Sequence, residues 1–258
     1  MNPIHLFFKA SIAKLKSIFI VLIFQFIITT NSTGQDKTLY FKFLNSEQID
    51  VTSIDTKKLN LKNDHIIQKL EDKVLAQITF PLTKAQPEGT LGNWLSDLCF
   101  EYLNSHFDEP IQACFIAYNS IHSSYIAPGA LHLKDVYNLF PYPTPLFKIK
   151  MSGKELTQLC DSIAAQGGCP IKGIQFSIKN NKANNIRIQK QTIGLNYVYI
   201  IAADRFFIKQ FIEPLSDTKI EQIDLGIQLQ NIVLKQYLDT TQKHMISSNI
   251  DHRIYYED

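Results

Sequence analysis

The sequence is short of the residues that punctuate or staple a chain. Glycine and proline number ten each in 258 residues, so no long flexible linker is advertised. Four cysteines are present and none forms a C-x-x-C pair, which argues against a structural zinc site. There is no P-loop and no H-E-x-x-H, so the common phosphate-cradling and zinc-hydrolase motifs are missing. No internal repeat and no low-complexity tract interrupts the chain. What remains is an ordinary globular composition, 45% hydrophobic and 19% charged, not that of a disordered segment.

The first residues differ from the rest. Lys9, Lys14 and Lys16 precede an apolar run from Ile18 to Ile28, broken only by Gln25. Thr29-Thr30-Asn31-Ser32-Thr33-Gly34-Gln35 follows. A basic stretch, a short apolar stretch and small residues at Ser32 and Gly34 predict a secretory signal peptide over 1–34, cut after Gly34. The alternative is an uncleaved anchor, but the run is shorter than the roughly 20 residues a spanning helix needs. The expected mature chain, 35–258, is one exported domain, periplasmic or extracellular, with no membrane attachment after cleavage. Removing three lysines takes the formal net charge from +2 to −1. No basic patch is left to bind nucleic acid.

All four cysteines, Cys99, Cys114, Cys160 and Cys169, fall in that mature part. An exported chain permits disulfides, and Cys160 with Cys169 would close a short loop through Gly167-Gly168. The other reading is four small buried hydrophobes.

Periodicity outlines a mixed α/β order. Strands are expected at 38–43, 49–52, 111–118, 146–151 and 195–203. Ile66, Ile67, Leu70, Val74, Leu75 and Ile78 recur at helical spacing over 64–78. Leu91, Trp94, Leu95, Leu98 and Tyr102 make a second helical stripe over 90–105. A loop is expected at 119–129 and a short helix at 133–139. Ser152 followed by Glu155 matches a capping box that opens a helix to Ala165. Ile174, Phe176 and Ile178, then Asn180-Asn181, then Ile186 and Ile188, signal a hairpin. Asp224 would cap a last helix with Leu225, Leu229, Ile232, Val233 and Tyr237 on its apolar face. Lys148 and Lys150 alternate with Phe147 and Ile149 and would face solvent.

The helix at 90–105 opens on Gly89-Thr90-Leu91-Gly92-Asn93-Trp94. A glycine inside a helix costs about 1 kcal/mol relative to alanine, so Gly92 needs a reason. Gly92, Ser96 and Cys99 share a small-residue edge that lets another segment come close. Asn93 and Asp97, four apart, share a polar face. Close packing and anion binding at the helix start both remain open at this point.

Five segments, in order, resemble the 5'-nucleotidase C-terminal domain family. "QPEGTLGNWLSDL" is similar to its entry motif P-E-S-x-L-G-N-L-x-A-D. Residues 127–156, "APGALHLKDVYNLFPYPTPLFKIKMSGKEL", resemble its D-[VL]-Y-x-x-x-P-F segment and the following strand and helix start. "YVYIIAADRFF" (197–207) resembles its strand and N-D-[FY] element. "IVLKQYLDTTQK" and "DHRI" (251–254) resemble the closing helix and D-G-R-I tail. The resemblance covers about 38–256. It implies a single mixed α/β (α+β) domain, with mixed sheets and packed helices, that recognises a nucleotide or nucleoside.

In that family a separate metallophosphoesterase domain holds two metals and performs the hydrolysis, the metals clamping attacking and leaving oxygens. Its signatures D-x-H, G-D and G-N-H-[DE] do not occur in this sequence; the one G-N is followed by Trp94. The resemblance therefore implies no cofactor and no catalytic residue on this chain. Divalent metals are expected only on a partner metallophosphoesterase chain, and the isolated chain is not expected to hydrolyse phosphate esters. The family loop N-x-G-G-[IV]-R is represented by Tyr118-Asn119-Ser120-Ile121-His122-Ser123-Ser124, which keeps the asparagine at Asn119 and loses the glycine pair; counting back from Gly129, the arginine position falls on Ser123, or with one gap on His122. Of the two aromatics that sandwich the base, the first corresponds to Tyr142; the second position falls by direct count on Arg205, a departure from an aromatic, with Phe206 adjacent to complete a Tyr142/Phe206 clamp. Asn119, Tyr142 and Phe206 are the implied substrate-binding residues. Each also has a structural reading, Asn119 as a turn residue and Tyr142, Phe206 and Phe207 as core. A nucleophile–base pair of His122 with a nearby serine is a remote alternative. The six histidines past residue 34 show no metal-ligand spacing. The functional expectation is the nucleotide-recognising half of a nucleotide-hydrolysing system, completed in trans. The alternative is a non-catalytic binding or structural protein on the same fold.

Overall fold

A computed structural model describes residues 71–215, 220–238 and 244–257, all of which belong to one unit, Leu59–Asp258. The expected signal peptide, both strands before residue 53 and residues 64–70 of the expected first helix lie outside the described residues.

The strands are β1 (Val74–Ile78), β2 (Leu82–Thr83), β3 (Ala113–Phe115), β4 (Tyr125–Ile126), β5 (Gly129–His132), β6 (Pro145–Ser152), β7 (Ile171–Lys172), β8 (Ile174–Lys179), β9 (Lys182–Ile188), β10 (Gln191–Thr192), β11 (Val198–Asp204), β12 (Gln222–Gln228), β13 (Met245–Ile246) and β14 (Ile254–Tyr256). The helices are α1 (Thr90–His106), α2 (Leu133–Leu139), α3 (Gly153–Ala165), α4 (Arg205–Phe207) and α5 (Leu229–Leu238). A π turn, Ile208–Ile212, and a 3-10 turn, Glu213–Leu215, extend α4. The main sheet runs β12-β6-β11-β3-β7. In it β11 and β3 are parallel, and the other neighbours are antiparallel. A second sheet runs β10-β9-β8-β14, a third β13-β1-β5, and β2 pairs with β4.

Alternation decides which face each strand buries. Phe147, Ile149 and Met151 of β6, Tyr199, Ile201 and Ala203 of β11, and Ala113 and Phe115 of β3 join one apolar core. Helix α3 and the β8–β9 hairpin close that core with Leu156, Leu159, Ile163, Phe176 and Ile186. Cys114, the residue between, faces Cys99 of α1. Lys148 and Lys150 also point away from the core, and both pair with Glu109, at 2.5 and 2.7 Å.

Several expectations hold. Helices α1 and α2 lie where periodicity placed them, and the capping box forms: Ser152 Oγ accepts from Glu155 N, and Glu155 Oε2 accepts from Ser152 N. Asn180 and Asn181 take φ of 53° and 60°, the left-handed pair that a tight hairpin turn requires.

Other expectations are corrected. Residues 74–78 are strand, not helix, because β1 sits between two partners, β5 and β13, and pairing outweighs an ambiguous period. Asp224 caps no helix. It lies in β12 opposite Phe147, and its carboxylate accepts from Gly226 N at 2.8 Å where the ladder bulges; α5 begins at Leu229. The expected loop at 119–129 is partly ordered by the β2–β4 ladder, with Thr83 opposite Tyr125. All four cysteines are buried free thiols, so the 160–169 bridge is not formed.

Candidate functional site

Antiparallel pairing puts the carboxyl ends of β3 and β11 beside the amino end of β6. Asp204 at the end of β11 is opposite Leu146 near the start of β6. The chain leaving β3, the chain entering β6 and the start of α4 therefore meet along one edge of the main sheet. That edge, outside the carboxyl ends of a parallel pair, is where open α/β sheets commonly bind ligands.

Asp204 organises the edge. Its carboxylate is fully buried and accepts four hydrogen bonds: from Ala117 N and Ser120 Oγ, each at 2.7 Å, from Phe206 N at 2.8 Å and from Phe207 N at 3.1 Å. A buried charge without such donors would be far costlier. Burial pushes its pKa above the ordinary 3.8, and the four donors pull the other way. One side chain thus ties the 3-10 turn Tyr118–Ser120 to the first turn of α4.

Lys84 secures the same turn from outside. Its ammonium donates to the carbonyls of Tyr118 at 2.7 Å and Ile121 at 2.8 Å, and lies 5.7 Å from the Tyr118 ring centroid. Tyr118 Oη donates to Ala85 O. Burial lowers the Lys84 pKa and raises that of Tyr118.

The three expected binding residues all fall on this edge. Asn119 is exposed at the crown of the Asp204-held turn. Phe206 is half-buried, one face against the core. Tyr142 is 68% exposed in the segment entering β6, where Thr144 Oγ1 donates to its carbonyl at 3.0 Å. Its reading as a core residue is excluded by that exposure. Tyr142 and Phe206 are on the same edge but are not in ring contact. Phe207, by contrast, is core, stacked on Phe115 at 5.1 Å and tilted against Phe211 at 4.7 Å. The serine–histidine alternative has no geometry behind it: Ser120 gives its hydroxyl to Asp204, and His122 is exposed with no hydrogen bond from its ring to any of the nearby serines. Among the described residues no group of three His, Cys, Asp or Glu is placed to hold a metal.

Gly92 is explained by packing. A Cβ there would sit 2.8 Å from Pro170 Cγ, just before β7. Around it the polar residues of α1 are spent on a clasp. Arg253 is 7% exposed. Its Nη2 donates to Asp97 Oδ2 at 2.9 Å and its Nε to Asp251 Oδ1 at 2.6 Å. Its Nη1 donates to Ser96 Oγ at 3.2 Å and Ile171 O at 3.0 Å. Glu88 completes the clasp, accepting from Asn93 Nδ2 at 2.6 Å and from the backbone N–H of Asp251 and Arg253, each at 3.0 Å. The anion-site reading of this helix start is therefore not needed.

Sequence reasoning missed Asp204 as the hub, Lys84 as its brace, and Arg253 with Glu88 as a clasp. An aspartate directly after a buried apolar strand was the available signal for Asp204. Glu88 and Arg253 are 165 positions apart, and no local pattern joins them.

Residues 70–243 match the family model described as 5'-nucleotidase, C-terminal domain. The fold is similar to a 5'-nucleotidase precursor from Thermus thermophilus, with 15% identity and a TM-score of 0.62, over 78% of this chain and 42% of that one. It is similar to an NAD nucleotidase from Haemophilus influenzae, with 14% identity and a TM-score of 0.58, over 78% and 41%. A sulfate thiohydrolase from Thermus thermophilus gives 14% and 0.54, over 78% and 38%. At such identities the likeness is one of fold. The chain spans 38–42% of the length of these solved chains. Comparison with curated proteins finds no match.

Proposed function

The chain belongs to the 5'-nucleotidase C-terminal domain family, and from that premise we propose that it is the nucleotide-recognising half of an exported nucleotide-hydrolysing system. A separate metallophosphoesterase chain supplies the metals and the water-activating chemistry; this chain grips the base and sugar. The observation that carries the reading is the edge built on Asp204. It holds Asn119 outward on a rigid turn, fixes Phe206 at the start of α4 and lies beside the exposed Tyr142. An amide and two aromatic faces are the groups that recognise and stack a nucleobase, stacking contributing about 1–3 kcal/mol per base.

Pull-down of the chain from its native exported fraction tests this. A co-purifying, metal-dependent phosphatase whose activity toward nucleotides rises in the complex is the expected result. No complex and no gain in activity would defeat the trans assignment. A second reading, a non-catalytic binding or structural protein on the same fold, draws on the loss of the family arginine, whose position falls on Ser123 or His122, and of the glycine pair in the same loop. Calorimetry with adenosine, AMP and a UDP-sugar separates the two. Micromolar binding weakened by Tyr142→Ala supports recognition, and silence toward all three supports the second reading.

A further inference from the structure

The chain has three arginines, Arg187, Arg205 and Arg253, and they are used in different ways. Arg253 is consumed by the clasp, with Nε, Nη1 and Nη2 all donating within the protein. Arg187 lies on β9, opposite Gln175 in the second sheet. Arg205 opens α4 directly after Asp204, on the edge described above.

We propose that Arg205 grips the anionic group of the ligand at this edge, taking over from the guanidinium that the 119–124 loop lacks. The proposal rests on the nucleotide-recognition reading and adds to it that the ligand is an anion. Three observations carry it. The guanidinium carbon lies 4.1 Å from the Phe147 ring centroid, and Phe147 is buried in β6. The guanidinium is therefore held against a rigid apolar wall, and its N–H groups are left over. Arg205 is half-exposed and, among the described residues, forms no hydrogen bond and no ion pair. Nothing inside the described fold absorbs its charge or its donors. The α4 backbone donors and the Lys84 ammonium on the edge are already engaged. The backbone N–H groups of Phe206 and Phe207 point at Asp204, and Lys84 spends two of its three protons on carbonyls. Arg205 has five N–H groups in a fork that matches phosphate or carboxylate bidentately, and it has already lost part of its side-chain freedom to the Phe147 stack.

The test is calorimetric titration of the wild-type chain, Arg205→Met and Arg205→Lys with AMP, adenosine and inorganic phosphate, with thermal unfolding of each protein alongside. Methionine keeps an apolar stem over Phe147, so the fold survives. The expected result is that Arg205→Met weakens AMP by roughly tenfold or more, as loss of a charge-assisted pair implies, and leaves adenosine unchanged. Arg205→Lys recovers part of the AMP affinity, and added salt weakens AMP for wild type more than for Arg205→Met. Equal AMP affinity in wild type and Arg205→Met, or equal weakening of AMP and adenosine, overturns the assignment and leaves nucleotide recognition standing. Wild type that binds adenosine as well as AMP, with phosphate making no difference, overturns the anionic ligand. Wild type that binds neither refutes the recognition reading itself, and the role of Arg205 with it.

Discussion

Replacing Arg253 with methionine removes a buried cation and leaves its acceptors behind. The guanidinium reaches Asp97, Asp251, Ser96 and the carbonyl of Ile171. Removing one partner from a fully buried pair costs about 3–5 kcal/mol, because the other charge is stranded. That figure is discounted here. The Asp251 side chain is 53% exposed and returns to water, so its share is small. Asp97 is 29% exposed and keeps Lys172 at 2.7 Å. Ser96 Oγ lies 2.9 Å from Gly92 O and 3.1 Å from Ile171 O, so without the guanidinium these two carbonyls share one hydroxyl proton. The expected loss is about 2–3 kcal/mol. For a domain of this size that is a fall of roughly 4–12 °C in unfolding midpoint. Urea unfolding with a constant m-value gives the free energy, and calorimetry gives the midpoint. A cycle with Asp97→Asn isolates the pair, and coupling above about 0.5 kcal/mol is expected. A loss under about 1 kcal/mol at unchanged m would place Arg253 among ordinary surface ion pairs and refute the clasp. Arg253→Lys should rescue little, since an ammonium cannot fork to both carboxylates.

Gly92→Ala should destabilise despite the better helix propensity. The gain of about 1 kcal/mol is set against an added Cβ 2.8 Å from the Pro170 ring, an overpacking that costs about 1–3 kcal/mol; a raised thermal midpoint would show the contact to be soft. Asp204→Asn should both destabilise the fold and change its pH profile. The folded pKa lies above the ordinary 3.8, so the folded state binds the proton more tightly than the unfolded one. Its stabilising contribution is complete below 3.8 and is lost as pH rises through the folded pKa. Urea midpoints of the two proteins should converge as pH rises through that window, and a widening gap would mean the carboxylate is held below its unfolded value. The four cysteines should resist a maleimide in the native state, because all are buried, the hydrogen bond with Cys99 and then burial raise the Cys114 thiol, and burial raises those of Cys160 and Cys169. Mass spectrometry should find four adducts after unfolding under reducing conditions, and rapid native labelling would contradict the packing.

Much of the fold was legible where the signal is local. The stripe Leu91, Trp94, Leu95, Leu98 named α1, Ser152 and Glu155 named the start of α3, and Asn180-Asn181 named the hairpin. Two errors share one cause. Val74, Leu75 and Ile78 satisfy a helical period as well as a strand, and Asp224 before Leu225 looks like a cap, yet both segments pair with strands distant in sequence. The candidate site divides in the same way. Asn119, Tyr142 and Phe206 could be named because motif order carried them. Their support could not, because Asp204 acts on Ala117 and Ser120 across 84–87 positions. Arg205 was read only as a departure from an aromatic, and its free donors became visible once Phe147 was placed beneath it.

The central claim is that the edge around Asp204 binds a nucleotide, and amide NMR of the isotopically labelled chain titrated with AMP tests it most directly. The account predicts saturable shifts concentrated at Ala117–Ser120, around Tyr142 and at Arg205–Phe207, with the β8–β9 hairpin unmoved. Saturating AMP that leaves those amides unshifted, or shifts centred on another face, would contradict it.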